Sequence, residues 1–200
     1  MSNFKAVIFD WGGVCCSAGE HFSNPLMLEQ VAMTSEQMSD ASKSIEKEFY
    51  TGRISESEFW NQIINKYHLK GISEEQLRQS YFDSYKIYPQ MIDAINETRK
   101  NHRVALLSNL ASDMAGRIKK LHNVDNMFEI KVFSYELGVM KPDSKIYLHI
   151  LEKLQLKPND CLFIDDSKAN IEAAEKLGIS TIYFRTPEQT IQELKRMKII

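Results

Sequence analysis

The sequence has few cysteines and no long hydrophobic run, and both absences restrict the class of protein. Cys15 and Cys16 are neighbours and Cys161 lies far away, so neither a disulfide framework nor a zinc-binding spacing is present. Three reduced thiols are the simplest interpretation. The apolar run before Asp10 is too short for a secretory signal, and no later segment is long enough to cross a bilayer. We therefore expect a cytoplasmic protein with no membrane partner.

The charges are also nearly balanced, with 25 Lys and Arg residues against 27 Asp and Glu residues and a net charge of −2. Broad binding to nucleic acid usually requires a basic excess, so no nucleic-acid partner is expected. The five histidines form no HxxxH pair, and no GxxxxGK(S/T) segment is present, which disfavours a helical zinc site and a nucleotide P-loop. These absences are compatible with a small anion bound in a local positive pocket. The protein is expected to be a monomer or a small homo-oligomer.

Short apolar runs alternate with helical patterns along most of the chain. The predicted strands are residues 4–9, 104–107, 130–133, 161–164 and 179–184, and the predicted helices between them are 89–100, 112–121, 142–154 and 167–177. Near-continuous hydrophobicity in such short runs predicts strands that are buried on both faces, as in a parallel sheet. The alternation therefore predicts an α/β fold with a doubly wound parallel sheet.

One interval, residues 17–88, shows only helical patterns. Capping boxes begin at Ser55 and Ser73, and an apolar face follows each of them. The aromatic residues Phe49, Tyr50, Phe59 and Trp60 are expected to form the core of a small bundle rather than a ligand cage. We therefore predict a helical cap at 17–88, inserted into an α/β core made of residues 1–16 and 89–200.

Polar residues follow three of the predicted strands. They are Asp10, the pair Ser108–Asn109 and the pair Asp165–Asp166. Ligands of open α/β sheets bind beyond the carboxyl ends of the strands, so these residues could converge on one pocket, and Lys141 could supply a cation to it. Each residue also has an ordinary explanation, because Asp, Ser and Asn commonly cap helices and lysines commonly lie at the surface.

The clustered carboxylates suggest a specific chemistry. Three of them in a partly buried site would repel one another unless a cation neutralised them. Oxygen ligands without nearby His or Cys suit Mg²⁺, which usually binds one or two carboxylates together with substrate oxygens. A metal, a lysine and a hydroxyl around one point are typical of a phosphate site, where a carboxylate can attack phosphorus and form an aspartyl-phosphate.

Four segments, in order, resemble the motifs of the haloacid dehalogenase superfamily: FDWGGV, LLSN, GVMKPD and FIDDSKANIEAAEKLG. The resemblance covers nearly the whole chain and implies a Rossmann-like core with a cap inserted after the first motif. Within the superfamily, the sequence resembles the small sugar-phosphate phosphatases, such as the glucose-1-phosphate phosphatases. Those phosphatases have a cap segment similar to Gly52-Arg53-Ile54-Ser55, and they also lack an acid two residues after the nucleophile.

The resemblance implies a magnesium-dependent phosphatase of small phosphorylated metabolites, sugar phosphates in particular. Asp10 would be the nucleophile and a metal ligand, together with the Gly12 carbonyl oxygen. Asp166 would bind the metal directly, and Asp165 would do so directly or through water.

The same resemblance assigns the remaining catalytic and substrate-binding groups. Ser108 and the Asn109 region would hold the transferring phosphoryl group by hydroxyl and amide donors, and Lys141 would neutralise the nucleophile and the phosphoryl oxygens.

Gly12 marks a departure, because many phosphatases of this family carry a second Asp there as general acid and base. Such a group contributes about 10²–10⁴-fold to the rate. An anomeric leaving group that needs little protonation is the favoured explanation, and a cap residue such as His21 or Glu20 is the second. The third is a slow or silent protein that acts as a phosphate-binding module. A metal-independent 2-haloacid dehalogenase is the enzymatic alternative, although two uncompensated carboxylates disfavour it.

Overall fold

The structure is a computed structural model that describes residues 3–17, 28–29, 31–83 and 85–200. Within these ranges the strands are β1 Ala6–Phe9, β2 Arg103–Ser108, β3 Ile130–Phe133, β4 Cys161–Asp165 and β5 Ser180–Tyr183. They form one parallel sheet in the order β3-β2-β1-β4-β5. The chain therefore winds from the central β1 to one side and then to the other, which confirms the predicted doubly wound α/β fold.

The register of the sheet aligns the carboxyl ends of its central strands. Phe9 pairs with Leu106 of β2 and with Ile164 of β4. The backbone N–H of Asp10 then donates to the carbonyl oxygen of Ile164 at 3.0 Å. Because all three strands are parallel, the residues that follow them emerge at the same edge of the sheet.

Three helices that lie between β1 and β2 in the sequence form a bundle. They are α1 Ser35–Tyr50, α2 Glu56–Lys66 and α3 Glu74–Asp83. Ser55 and Glu58 form the predicted capping box of α2. At the start of α3, the Ser73 backbone N–H donates to Gln76 Oε1 and the Gln76 backbone N–H donates to Ser73 Oγ, which is the second predicted capping box. The buried side chains of the bundle include Phe49, Phe59, Trp60, Ile63, Leu77 and Tyr81. All three helices fall within residues 17–88, and the division into cap and core domains at those bounds stays a prediction.

The two segments that connect the bundle to the sheet run side by side. The backbone N–H of Ser17 donates to the carbonyl oxygen of Lys86, and that of Tyr88 donates to the carbonyl oxygen of Cys15, both at 2.9 Å. The chain thus leaves the sheet and returns to it at one place.

The remaining helices cover both faces of the sheet. They are α4 Pro89–Thr98, α5 Ser112–His122, α6 Val124–Met127, α7 Ser134–Leu137, α8 Ser144–Leu154, α9 Lys168–Lys176 and α10 Pro187–Arg196. Helices α8 and α9 pack with Ala6 and Ile8, whereas α4, α5, α10 and the bundle pack with Val7 and Phe9. Across the described ranges, no helix combines the length and apolar character that a membrane span requires.

Candidate active site

Three carboxylates meet at the carboxyl ends of β1 and β4. Asp10, Asp165 and Asp166 each offer an oxygen atom, and these atoms lie within 4.8 Å of one another. Asp10 and Asp165 are buried, whereas Asp166 is partly exposed. The strand register therefore brings together the three acids that the sequence places after two different strands. All side-chain ligands of this cluster are carboxylates, which is the donor set that Mg²⁺ prefers.

Lys141 lies against this cluster and is almost completely buried. Its Nζ is 2.9 Å from Asp10 Oδ1 and 2.7 Å from Asp165 Oδ2, and it donates to the Leu107 carbonyl oxygen at 2.9 Å. Burial alone would lower the pKa of the ammonium group, but the charges of Asp10 and Asp165 outweigh it and the pKa lies above its ordinary value. Lys141 therefore stays charged and points at the nucleophile candidate with its three donors engaged.

Asp165 has both carboxylate oxygens engaged by the protein. Oδ2 contacts Lys141, while Oδ1 accepts from the backbone N–H of Ser167 at 2.8 Å and from Nδ2 of Asn170 at 2.9 Å. The hydroxyl of Tyr147 donates to the carbonyl oxygen of Asn170 at 3.0 Å, which ties α8 to α9. These contacts fix Asp165 as a support for Lys141. Neither Asn170 nor Tyr147 is marked by a sequence pattern that indicates this contact, although Asn170 lies inside the fourth motif.

The pKa values of the other two acids are raised, mainly by burial and further by neighbouring negative charge. Burial raises the pKa of Asp10 to about 7; Lys141 opposes this rise, and Asp165 and Asp166 add to it. Burial also raises the pKa of Asp166 to about 6, and the charge of Asp165 adds to the shift. One lysine does not compensate three carboxylates. A divalent cation among them would favour their charged forms, so the residues fit a metal such as Mg²⁺.

The loop after β1 is shaped closely around these acids. The backbone N–H of Trp11 donates to Asp10 Oδ1 at 2.7 Å. Gly13 has φ +79°, and a Cβ there would lie 2.0 Å from Asp166 Oδ2. The second glycine of the FDWGGV segment is therefore required by its backbone conformation and by the approach of Asp166.

Ser108 is the last residue of β2, Asn109 follows it, and both lie beside the acids. The Ser108 side chain is buried and lines the pocket in front of Asp10. Asn109 donates from Nδ2 to the Lys141 carbonyl oxygen at 3.0 Å and accepts from the Lys141 backbone N–H at 2.8 Å. The side chain of Asn109 thus holds the backbone of Lys141, a role that the sequence pattern did not indicate.

A pocket of about 170 Å³ opens in front of Asp10. From the sheet edge it is lined by Asp10, Gly12, Ser108, Asn109 and Asp166, and from the bundle and its connection by Glu46, Tyr50, Tyr81 and Tyr85. The structure thus brings all seven predicted site residues together, with Lys141 and Asp165 in contact with the pocket's acids. Tyr50, which was expected in the bundle core rather than in a ligand cage, also lines this pocket.

The bundle side of the pocket contains residues that sequence analysis missed. Glu46 and the three tyrosines carry no motif, and only the packing of the bundle against the sheet edge shows that they face Asp10. His21 and Glu20, the predicted alternative proton donors, lie outside the described residues.

Comparison with known proteins agrees with this architecture. The sequence model of the haloacid dehalogenase-like hydrolases matches residues 4–178. A haloacid dehalogenase family enzyme of Bacteroides thetaiotaomicron, solved in complex with magnesium and inorganic phosphate, is 25% identical with a TM-score of 0.74, over 91% of this chain and 94% of its own. The chain therefore belongs to the haloacid dehalogenase-like hydrolase family and is a hydrolase, as its four motifs predict.

Characterised relatives include phosphatases. The sesquiterpene phosphatase astK of Aspergillus oryzae is 23% identical over 98% of this chain and 97% of its own length. The phosphorylated carbohydrates phosphatase of Thermotoga maritima is 30% identical over 54% of this chain and 51% of its own. Acyl-CoA dehydrogenase family member 10 of Mus musculus is 26% identical over 98% of this chain, which spans only 19% of that protein.

Proposed function

We propose that this protein is a magnesium-dependent phosphatase of small phosphorylated metabolites that uses Asp10 as its nucleophile. The observation that carries the proposal is the position of Asp10, which faces a pocket, contacts the buried Lys141 at 2.9 Å and belongs to an all-carboxylate cluster. This combination suits the transfer of a phosphoryl group to a carboxylate oxygen.

Asp10, Asp166 and the carbonyl oxygen of Gly12 are the groups that would hold Mg²⁺. Asp165 would contribute mainly by orienting Lys141, because its oxygens already accept hydrogen bonds from Ser167 and Asn170. When bound, the ion supplies positive charge that neutralises the carboxylates and the phosphoryl oxygens.

The residues of this chain would then perform two displacements. A carboxylate oxygen of Asp10 attacks phosphorus, the bond to the leaving oxygen breaks, and the phosphoryl group becomes attached to Asp10. Lys141 and the Ser108 hydroxyl stabilise the charge on the transferring group, since both lie beside the nucleophile. Water then attacks phosphorus and releases inorganic phosphate, which restores the Asp10 carboxylate.

Sugar phosphates are the substrate class that we propose within this activity. The Thermotoga maritima relative acts on phosphorylated carbohydrates, and the sequence resembles sugar-phosphate phosphatases at Gly52-Arg53-Ile54-Ser55. The match to the sesquiterpene phosphatase covers more of the chain, so sesquiterpene phosphates belong in the same substrate panel.

A metal-independent dehalogenase is the alternative within the family. It would require Asp10 to attack carbon while Asp166 stays uncompensated beside an anionic substrate. The raised pKa values of both acids show how unfavourable further negative charge is here. This electrostatic imbalance favours the metal-dependent phosphatase.

Phosphate release from sugar phosphates, a sesquiterpene phosphate and p-nitrophenyl phosphate, measured with Mg²⁺ and with EDTA, tests the proposal. We expect release that requires Mg²⁺ and disappears in Asp10→Asn, since an amide oxygen is a poor nucleophile. Asp93→Asn, on the exposed surface of α4, is the matched control and should retain full activity.

Three results would contradict the proposal. Activity that survives EDTA, or that persists in Asp10→Asn, would exclude the metal-dependent attack by Asp10. Tight Mg²⁺-dependent phosphate binding without turnover of any substrate would indicate a binding module instead.

A further inference from the structure

A leaving group that departs as an alkoxide needs a proton donor, and the described residues of the loop after β1, 11–17, contain no carboxyl group. Gly12 has no side chain, and Lys141 has its donors engaged by Asp10, Asp165 and Leu107. The opposite wall of the pocket contains one carboxyl group, that of Glu46 on α1, beside three tyrosines. Glu46 is outside the carboxylate cluster, so it stays available for proton transfer.

We propose that Glu46 is the general acid and general base of the phosphatase reaction, in place of the side chain that is missing at Gly12. The inference rests on the proposed function, because it concerns the proton transfers of that reaction. It assigns a catalytic role to a residue of the inserted bundle that no sequence motif marks.

The position of Glu46 follows from the way α1 is held on the sheet edge. Glu46 and Tyr50 are one helical turn apart, so they share a face of α1, and both line the pocket. Ser134 donates from Oγ to the carbonyl oxygen of Tyr50 at 2.5 Å and accepts from the backbone N–H of Leu110 at 3.0 Å. The last turn of α1 is therefore tied to the segment that follows Ser108.

Glu46 and Asp10 line one small pocket together with Tyr50. Burial raises the pKa of Tyr50, and the charges of Glu46 and then Asp10 add to the rise. A leaving group bound in this pocket of about 170 Å³ would therefore lie close to both the nucleophile and Glu46.

Protonation chemistry also distinguishes Glu46 from the tyrosines. Burial raises the pKa of Glu46 above 4.5, and Lys43 on the same helix only partly opposes this rise. Burial raises the pKa values of Tyr50, Tyr81 and Tyr85 far from neutrality, so these hydroxyls can donate hydrogen bonds but are poor proton donors. General acid–base catalysis is most effective when the pKa lies near the working pH.

The proton transfers balance over the two displacements. As Asp10 attacks phosphorus and the bond to the leaving oxygen breaks, that oxygen takes the proton of the Glu46 carboxyl group and departs as an alcohol. Water then attacks the aspartyl-phosphate, gives its proton to the Glu46 carboxylate, and the bond between phosphorus and Asp10 breaks. Inorganic phosphate leaves, and Glu46 is again protonated.

Leaving-group dependence tests this role, with an alkyl phosphate and p-nitrophenyl phosphate as substrates for Glu46→Gln. An alkoxide needs protonation and p-nitrophenolate does not, so kcat/KM should fall about 10²-fold or more for the alkyl phosphate and far less for p-nitrophenyl phosphate. Hydrolysis of the aspartyl-phosphate should also slow, so a burst of p-nitrophenolate should appear in rapid-mixing experiments. Glu48→Gln is the control, because Glu48 lies on the same helix but does not line the pocket.

Glu46→Asp, which keeps the acid on a shorter side chain, should restore part of the alkyl phosphate activity. An equal loss on both substrates without a burst, or no loss on either, would overturn the role of Glu46. If the wild type shows no Mg²⁺-dependent turnover, or if Asp10→Asn retains it, the proposed function itself fails. Turnover that depends on Asp10 but not on Glu46 refutes this inference alone.

Discussion

The excess negative charge around Asp10 predicts that the metal-free protein becomes more stable when one carboxylate is removed. Asp166→Asn is the suitable change, because Asp166 belongs to the carboxylate cluster whereas the ion pairs of Lys141 are formed with Asp10 and Asp165. The substitution keeps the shape of the side chain and removes its charge. It should therefore relieve repulsion without breaking the contacts of the buried lysine.

The pKa of Asp166 gives the size of the effect. Burial raises this pKa from 3.8 to about 6. Between these values the folded state binds more protons than the unfolded state, so the group destabilises the protein increasingly as the pH rises through this range. The full shift corresponds to about 3 kcal/mol. Because the side chain is partly exposed, we discount this to about 2 kcal/mol at pH 8. Roughly half of the effect should remain at pH 5.

Thermal unfolding in EDTA measures this difference. At pH 8 the Tm of Asp166→Asn should exceed that of the wild type by about 4–8 °C, and by less at pH 5. Mg²⁺ at 100 times its Kd should stabilise the wild type by about 2.7 kcal/mol and stabilise the variant much less. Asp93→Asn should match the wild type in every condition. A variant that melts at or below the wild-type temperature in EDTA at pH 8 would refute the reasoning.

Two further substitutions test the supports of the site. Gly13→Ala should abolish Mg²⁺ binding in calorimetric titration, because its Cβ would lie 2.0 Å from Asp166 Oδ2. Gly71→Ala is the control, because Gly71 has a similar φ of +73° and its Cβ would meet no atom within 4 Å. That substitution should cost only about 1 kcal/mol of stability and leave Mg²⁺ binding intact. Asn109→Ala removes two hydrogen bonds to the Lys141 backbone, so kcat/KM for p-nitrophenyl phosphate should fall about 10- to 100-fold, as expected for about 1–3 kcal/mol of lost positioning. An unchanged kcat/KM would show that Lys141 does not need this support.

The sequence predicted the sheet well because its strands are buried on both faces. Continuous apolar runs such as AVIF in β1 occur where helices cover both sides, and the intervening helices allow only parallel pairing. Predicted boundaries differed from the structure by a few residues. The helix expected from position 142 begins at Ser144, because Asp143 caps it by accepting from the backbone N–H of Lys145.

The convergence of the acids was predictable for the same reason, since parallel strands end at one edge of the sheet. The contacts around them were not, because they depend on side-chain directions across several elements. The side chain of Asn109 turns to the Lys141 backbone, and Asn170 reaches back to Asp165. The role of Glu46 in the pocket depends on how α1 packs on the sheet edge, which no local pattern in the bundle encodes.

The three aspartates, similar in the sequence, are unequal in the structure, and this inequality explains how the site can bind metal. Asp165 has its charge and hydrogen bonds satisfied by Lys141, Ser167 and Asn170, so it resembles a structural ion pair. The pKa values of Asp10 and Asp166 are raised, so the negative charge of these two acids is the least well compensated in the cluster. A cation therefore interacts most favourably with Asp10 and Asp166, which face the pocket, while Asp165 keeps Lys141 in place. The same unrelieved charge that should weaken the metal-free fold thus provides the driving force for binding a cation beside the nucleophile.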